Sequence, residues 1–268
     1  MKMKVFDIKN TETASIDLPT QFLETVREDL ISRAVLAIQS HKRQAYGADP
    51  EAGMKHAVDV RRRRRDYKSS YGRGISRIPR KTLSRSGTQF NFVGAEAPGT
   101  RGGRQAHPPK AEKIFAQKIN TSERKKAIRC ALAAVVNKDI VIARGHKVPS
   151  TYPFVLNNDF ETIGKTSDFV KALAAIGLAE ELSRSNAKKI RAGRGTMRNR
   201  KYKRPVGPLI VVSDSCAATN AARNIPGVSI VGVSTLNVED LAPGCAPGRI
   251  TLFTKPALEK LKELNLFM

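Results

Sequence analysis

Apolar residues recur at helical spacing over residues 26–45, where Val26, Leu30, Ile31, Ala34, Val35 and Ile38 share one face. Glu28 and Asp29 open that segment and Lys42 and Arg43 close it, the charge order that a helix dipole favours. A weakly alternating run, Lys4 to Ile8, precedes it and reads as a strand, and Pro19 breaks the chain between the two. A second helical pattern covers 121–137, with Ile128, Leu132, Val135 and Val136 inward and Asn120 and Glu123 at capping-box spacing. Beyond it, short apolar runs alternate with helical ones. Phe154–Leu156, Pro208–Val212, Val228–Val233 and Ile250–Phe253 read as buried strands, and Ile140–Ile142 is a further short apolar run. Helices are expected at 167–176, at 178–186, and from a cap at Asp214 or Ser215 to about Arg223. A last one starts from a Thr254 cap, with Pro256 in its first turn, and runs through Leu258, Leu261 and Leu264. Strands alternating with helices over 120–268 predict a layered α/β fold with a mainly parallel sheet.

From Tyr46 to Pro109 the pattern fails. The segment holds nine glycines, the run Arg61–Arg65, and the pieces Gly72-Arg73-Gly74 and Arg101-Gly102-Gly103-Arg104. It has too few large apolar residues to build a core of its own. A loop that long is functional or disordered, not ordinary connection. The expected organisation is therefore residues 1–45 as the first part of a globular α/β domain, 46–109 as an extended basic arm inserted into it, and 110–268 as the remainder.

Charge sharpens that picture. The 268 residues carry 48 Lys and Arg against 24 Asp and Glu, a net charge of +24. Residues 41–113 hold +12 and residues 184–204 hold +10 with no acid, which leaves +2 for all the rest. A solvated surface would intersperse acids; concentrated single-sign charge points to a polyanionic partner. Gly193 and Gly195 interrupt the second segment, so it does not form the amphipathic helix that a membrane surface would need. No apolar stretch approaches 18 residues, and the N-terminus meets charge too early for a signal peptide. Cys130, Cys216 and Cys245 are widely spaced and fit free thiols in a reducing compartment. Cys130 is expected to pack in its helix, Cys245 to be a turn residue.

Catalytic and cofactor chemistry is not expected. Gly72-x-Gly74 and Gly193-x-Gly195 begin like dinucleotide loops, but Arg77 and Arg198 stand where the third glycine belongs. Gly94 and Gly99 have phosphate-loop spacing, followed by Thr100-Arg101 in place of Lys-Ser/Thr. The four histidines are scattered without metal-ligand spacing. Arginine forks that grip phosphate, separated by glycines that allow close backbone approach, suit nucleic acid. No helix-turn-helix, zinc-finger or RNP signature accompanies them, so structured RNA read by shape is favoured over sequence-specific DNA. Absent Trp and sparse Tyr and Phe argue against base-stacking platforms.

Several motifs together resemble one family. They are Lys42-Arg43-Gln44-Ala45-Tyr46, Arg77-Ile78-Pro79-Arg80, Arg101–Arg104, His107-Pro108-Pro109-Lys110 and Ala143-Arg144-Gly145-His146. Later come Lys189–Gly195, Met197–Tyr202, Gly207–Val212, Asn224–Val228 and Leu241-Ala242-Pro243-Gly244. Across nearly its whole length the chain resembles large-subunit ribosomal protein four of the archaeal and eukaryotic type. It lacks the long basic C-terminal extension of eukaryotic members and so is more similar to archaeal ones. Two places depart from the family pattern: Leu83–Phe92 has no Trp, and Cys245-Ala246 replaces a small residue and His.

The resemblance implies a structural, non-enzymatic constituent of the large ribosomal subunit, cytoplasmic within the ribosome. Its partners would be large-subunit ribosomal RNA and neighbouring large-subunit proteins, with no cofactor, small-molecule substrate or membrane. The arm would thread into RNA and line part of the nascent-peptide exit tunnel; about 30 residues out and back reach roughly 100 Å at ~3.3 Å per residue. The expected RNA-binding residues in and beside the arm are Arg61, Arg62, Arg63, Arg64, Arg65, Arg73, Arg77, Arg80, Arg101, Arg104 and Lys110. A second contact is expected from Arg191, Arg194, Arg198, Arg200, Lys201 and Lys203. The rivals are a free RNA-binding chaperone and a nucleotide-dependent enzyme acting on RNA; the latter would need a phosphate loop or a convergent polar site.

Overall fold

Strand β1 (Lys2–Phe6) buries Met3 and Val5 and exposes Lys4, the alternation of a strand with one covered face. The structure is a computed structural model describing residues 2–268. β2 (Glu12–Asp17) pairs antiparallel with β1, Val5 opposite Ala14. Its residues are almost all exposed, because it is the sheet edge, and so it gave no apolar signal. Helix α1 (Glu28–His41) buries Ile31, Ala34, Val35 and Ala37. It stops before Lys42 and not at 45, since Lys42, Arg43 and Gln44 offer nothing apolar to the sheet.

β3 (Arg80–Ser86) and β4 (Gln89–Gly94) form an antiparallel hairpin. The arm thus holds regular structure where no periodicity was expected. α2 (Thr121–Val136) follows, but the Asn120 side chain makes no capping bond, and Glu123 pairs at 3.0 Å with Arg33 of α1 instead. Ile140–Ile142 lies in α3 (Lys138–Ala143), started by the Asn137 side chain accepting from the Asp139 N–H at 3.1 Å.

Next come β5 (Phe154–Leu156), α4 (Asp159–Thr162), α5 (Thr166–Leu173) and α6 (Ala179–Asn186). A wide turn over Ala174–Leu178 separates α5 from α6, where Gly177 takes φ 93°, a left-handed value that glycine adopts without strain. The second basic segment forms a small hairpin of β6 (Lys189–Ile190) and β7 (Tyr202–Lys203). β8 (Leu209–Val212) is followed by α7 (Ala217–Arg223). Cys216, not Asp214 or Ser215, caps α7, its backbone N–H reaching Thr219; Asp214 pairs with Lys260. β9 (Ser229–Gly232), α8 (Val238–Leu241), β10 (Thr251–Thr254) and α9 (Lys255–Glu263) complete the chain. Thr254 precedes α9 but makes no cap bond; its hydroxyl donates to Glu161 at 2.6 Å.

The main sheet runs β2-β1-β5-β10-β8-β9 and is parallel except for the β1–β2 pair. This is the mainly parallel α/β layering that the alternation of elements predicted. Its continuous apolar strands are explained by coverage on both faces. Leu209 and Val211 join one core with α1, α2 and α9, while Ile210 and Val212 join the other with α5 and α7.

The chain divides into two compact units, Met1–Lys42 with Ala116–Met268, and Arg43–Phe115. Within the first, the Gln117 N–H donates to Ser40 Oγ at 2.9 Å and His41 Nε2 lies 3.2 Å from Gln117 O. The two chain ends that leave this unit are therefore held side by side.

Candidate nucleic-acid interface

Within the Arg43–Phe115 unit, outgoing and returning chain are laced by backbone bonds. Ala48 N–H donates to Pro109 O at 2.9 Å, and Ala95 N–H to Pro79 O at 2.9 Å. The approach is close enough that a Cβ on Gly47 would meet the Ala111 nitrogen at 2.3 Å. Beyond this lacing, Phe90 and Phe92 project from one face of β4, two residues apart, and stack with centroids 5.5 Å apart. Tyr67 meets Phe90 edge-on at 5.1 Å. Cations cover the cluster: Arg73 lies 5.7 Å from the Phe92 centroid, and Arg85 lies 5.5 Å from Tyr67. Nearer the root, Tyr46 stacks on Phe115 at 5.5 Å with Arg43 4.3 Å over the Phe115 ring.

This aromatic spine is what the composition concealed. The aromatics are few, but the hairpin gathers them, and the Phe90-x-Phe92 spacing was the available signal. The spine orders the arm and spaces its guanidinium groups without burying them.

The expected arm contacts divide by how their charge is used. Arg61 is held within the arm by Asp59 at 2.8 Å and Asp66 at 3.2 Å. Arg80 turns onto the Ser76 carbonyl and, at 2.8 Å, the Ser76 hydroxyl, fixing the entry to β3. Arg62, Arg63, Arg64, Arg65, Arg73, Arg77, Arg101, Arg104 and Lys110 are exposed. Among the described residues none of these nine forms an ion pair.

In the other unit, the β6–β7 hairpin presents Arg194, Arg198, Arg200, Lys201 and Lys203, all exposed. Arg191 differs: its Nε donates to Arg200 O at 3.1 Å and its terminal nitrogen to Tyr202 O at 3.4 Å, bracing the hairpin from within. Asn199 turns the chain with φ 59°. Ile190, Met197 and Tyr202 are exposed beside these charges, with Lys188 Nζ 3.7 Å over the Tyr202 ring.

A buried ion cluster holds the root of this hairpin. Glu181 on α6 is fully buried and accepts from Arg184 at 2.8 and 2.6 Å and from the Lys147 N–H at 2.9 Å, with His146 Nδ1 2.7 Å away. Burial pushes the Glu181 carboxyl up, but hydrogen bonds from Arg184, His146 and Lys147 outweigh it and bring its pKa to about 2. Arg184 also donates to Val206 O at 2.6 Å, tying the helix before β6 to the chain after β7. The first charge of the basic segment is thus part of the fold.

Two further arginines are structural. Arg249, 3% exposed, donates to Gly207 O at 2.9 Å, Asp240 O at 2.9 Å and Ser229 Oγ at 2.7 Å. Burial lowers its pKa to about 10. Arg144 donates to the Pro243 and Pro247 carbonyls at 2.5 and 3.2 Å, and burial lowers its pKa too. Cys130 packs in the core, and Cys245 sits in a turn at φ 70° against the same core.

A family model described as "Ribosomal protein L4/L1 family" matches residues 16–264. The chain belongs to that family. It is 46% identical to large ribosomal subunit protein uL4 of Nanoarchaeum equitans over 268 residues, the full length of both chains. Identity to the protein of the same name in Archaeoglobus fulgidus is 41%, covering 98% of this chain and 99% of the relative. For Halobacterium salinarum it is 39%, covering 98% and 100%. L4/L1 is a family of structural ribosomal proteins, not of enzymes. Among the described residues no helix is long and apolar enough to cross a membrane.

Proposed function

We propose that this chain is a structural constituent of the large ribosomal subunit in the cytoplasm, binding large-subunit ribosomal RNA beside neighbouring ribosomal proteins. The observation that carries the RNA reading is the set of exposed arginines and lysines, in the arm and on the β6–β7 hairpin, that form no ion pair among the described residues. A folded chain keeps so many like charges unpaired when an anion supplies the counter-charge in the working state. Residues 46–109 serve as the inserted arm, on a globular domain formed by 1–45 and 110–268. Arg62–Arg65, Arg73, Arg77, Arg101, Arg104 and Lys110 make its phosphate contacts. Arg194, Arg198, Arg200, Lys201 and Lys203 make a second contact, while Arg61, Arg80 and Arg191 hold the two basic elements in shape. The arm lines part of the nascent-peptide exit tunnel.

The test is sedimentation of large subunits through a salt wash. An integral component stays with the subunit when loosely bound factors are stripped. Loss of the protein from otherwise intact subunits at moderate salt would mark it as a free RNA-binding chaperone.

A further inference from the structure

Arg64, Arg65, Tyr71 and Gly72 border an open cleft of about 500 Å³ in the arm. Among the described residues no carboxylate lines it. That volume lies within the ~300–1,000 Å³ range of small-ligand sites. The loop that forms it is held in shape at a cost: Arg65 and Lys68 take φ 58° and 65°, left-handed values that side-chain-bearing residues avoid. Ser69, 5% exposed, keeps it so; its hydroxyl donates to Arg63 O at 2.6 Å and accepts from the Tyr71 N–H at 3.2 Å. Such strain persists only where the surroundings over-determine the conformation, and it concentrates at binding sites.

The Tyr71 ring is covered on one side. Arg77 lies 4.7 Å over its centroid and does not border the cleft, whereas Tyr71 does. At Gly72, φ is 75° and an added Cβ would meet nothing within 4 Å, so the backbone floor is open to a ligand. Two guanidinium forks, an aromatic face and a bare backbone are the groups that grip one phosphate, one base and one sugar.

Resting on the RNA-binding reading above, we propose that this cleft receives a single unpaired RNA nucleotide. Its base stacks on Tyr71 and its phosphate sits between Arg64 and Arg65. A paired base cannot reach the ring face, so the site selects an extruded nucleotide over regular duplex.

The test uses the full chain and three fluorescent RNA hairpins that differ at one point: fully paired, with a one-nucleotide bulge, and with an abasic bulge. The bulged hairpin should bind about tenfold tighter than the other two, a factor within the range of base–aromatic stacking. Tyr71→Leu should remove that preference and leave affinity for the paired hairpin unchanged, and Tyr71→Phe should keep it. Arg64→Gln with Arg65→Gln should weaken all three RNAs, since these arginines grip phosphate whether or not a base is extruded, and should leave the preference for the bulge in place. A 2-aminopurine placed in the bulge should be quenched by the natural chain and not by Tyr71→Leu, which decides the matter even if that variant also perturbs the loop. Equal affinity for all three RNAs, or an unquenched base, would overturn the nucleotide site while leaving RNA binding intact. Failure to bind any of them would overturn the broader reading instead.

Discussion

A Cβ on Gly195 would lie 2.7 Å from Cδ of Arg191. The glycine makes room for the arginine to fold back across its own hairpin and reach the Arg200 and Tyr202 carbonyls. Arg191 therefore spends its guanidinium on the backbone of β6–β7.

Replacing it separates the two roles. Arg191→Gln should loosen the hairpin by ~1 kcal/mol for each hydrogen bond lost. Amide exchange across 189–203 should accelerate while the slope of log affinity against log salt stays the same. Arg191→Lys keeps the charge but not the two-carbonyl fork, so it should behave like Gln. Gly195→Ala should reproduce the defect by steric means. A salt slope that falls by about one for Arg191→Gln would return the residue to the phosphate-binding set.

The exposed cations should report themselves in salt titrations. If a short structured RNA engages ~6 of these cations at once, log affinity should fall with log salt at a slope of about −4 to −5. Arg198→Gln with Arg200→Gln should reduce that slope by about 1.5 and leave the thermal transition of the globular unit in place, since neither side chain is buried. Loss of the transition in this double variant would show that they belong to the fold.

Glu181 sets an acid limit on the fold. Its carboxyl titrates near 2 in the folded chain, below the ~4.3 of an unfolded glutamate, so its contribution is complete above that value. The contribution drains as pH falls toward 2. Glu181→Gln should cost about 3 kcal/mol at pH 7, because it strips a half-buried arginine of its partner. It should also flatten the pH dependence of stability between about 4.3 and 2. Urea denaturation of both chains at pH 7 and pH 3 checks both statements; parallel losses on acidification would exclude Glu181 as their source.

Removing the arm should spare the rest. The contacts between Ser40, His41 and Gln117 already bring the flanking residues together, so a linker of a few glycines and serines can replace 44–114. Shortening the loop about tenfold lowers its closure cost by about 2 kcal/mol. The expected result is a helix and strand signal in circular dichroism with an unchanged or higher melting temperature. Collapse of that signal would mean the arm is needed by the core.

Sequence alone placed the strands Phe154–Leu156 and Leu209–Val212, because a strand covered on both faces and free of polar partners is apolar throughout, and that shows without neighbours. It placed a third over Ile250–Phe253, one residue ahead of the observed Thr251–Thr254, whose two buried threonine hydroxyls are satisfied by the Arg249 carbonyl and Glu161. It also determined α1 and α2 and the two basic segments, since periodicity and net charge are local sums. The edge strand Glu12–Asp17 was silent because nothing covers it. The β3–β4 hairpin escaped because its stabilising contacts, Tyr67 to Phe90 and Arg73 to Phe92, join residues whose spacing in the chain carries no period. Which arginines face outward was likewise settled in three dimensions. Arg194 and Arg191 look alike in the chain; only the folded hairpin gives Arg191 two carbonyls to hold. Arg144, Arg184 and Arg249 read as more positive charge until the fold closes around them, since a guanidinium is drawn inward only where backbone carbonyls or a carboxylate converge to satisfy it.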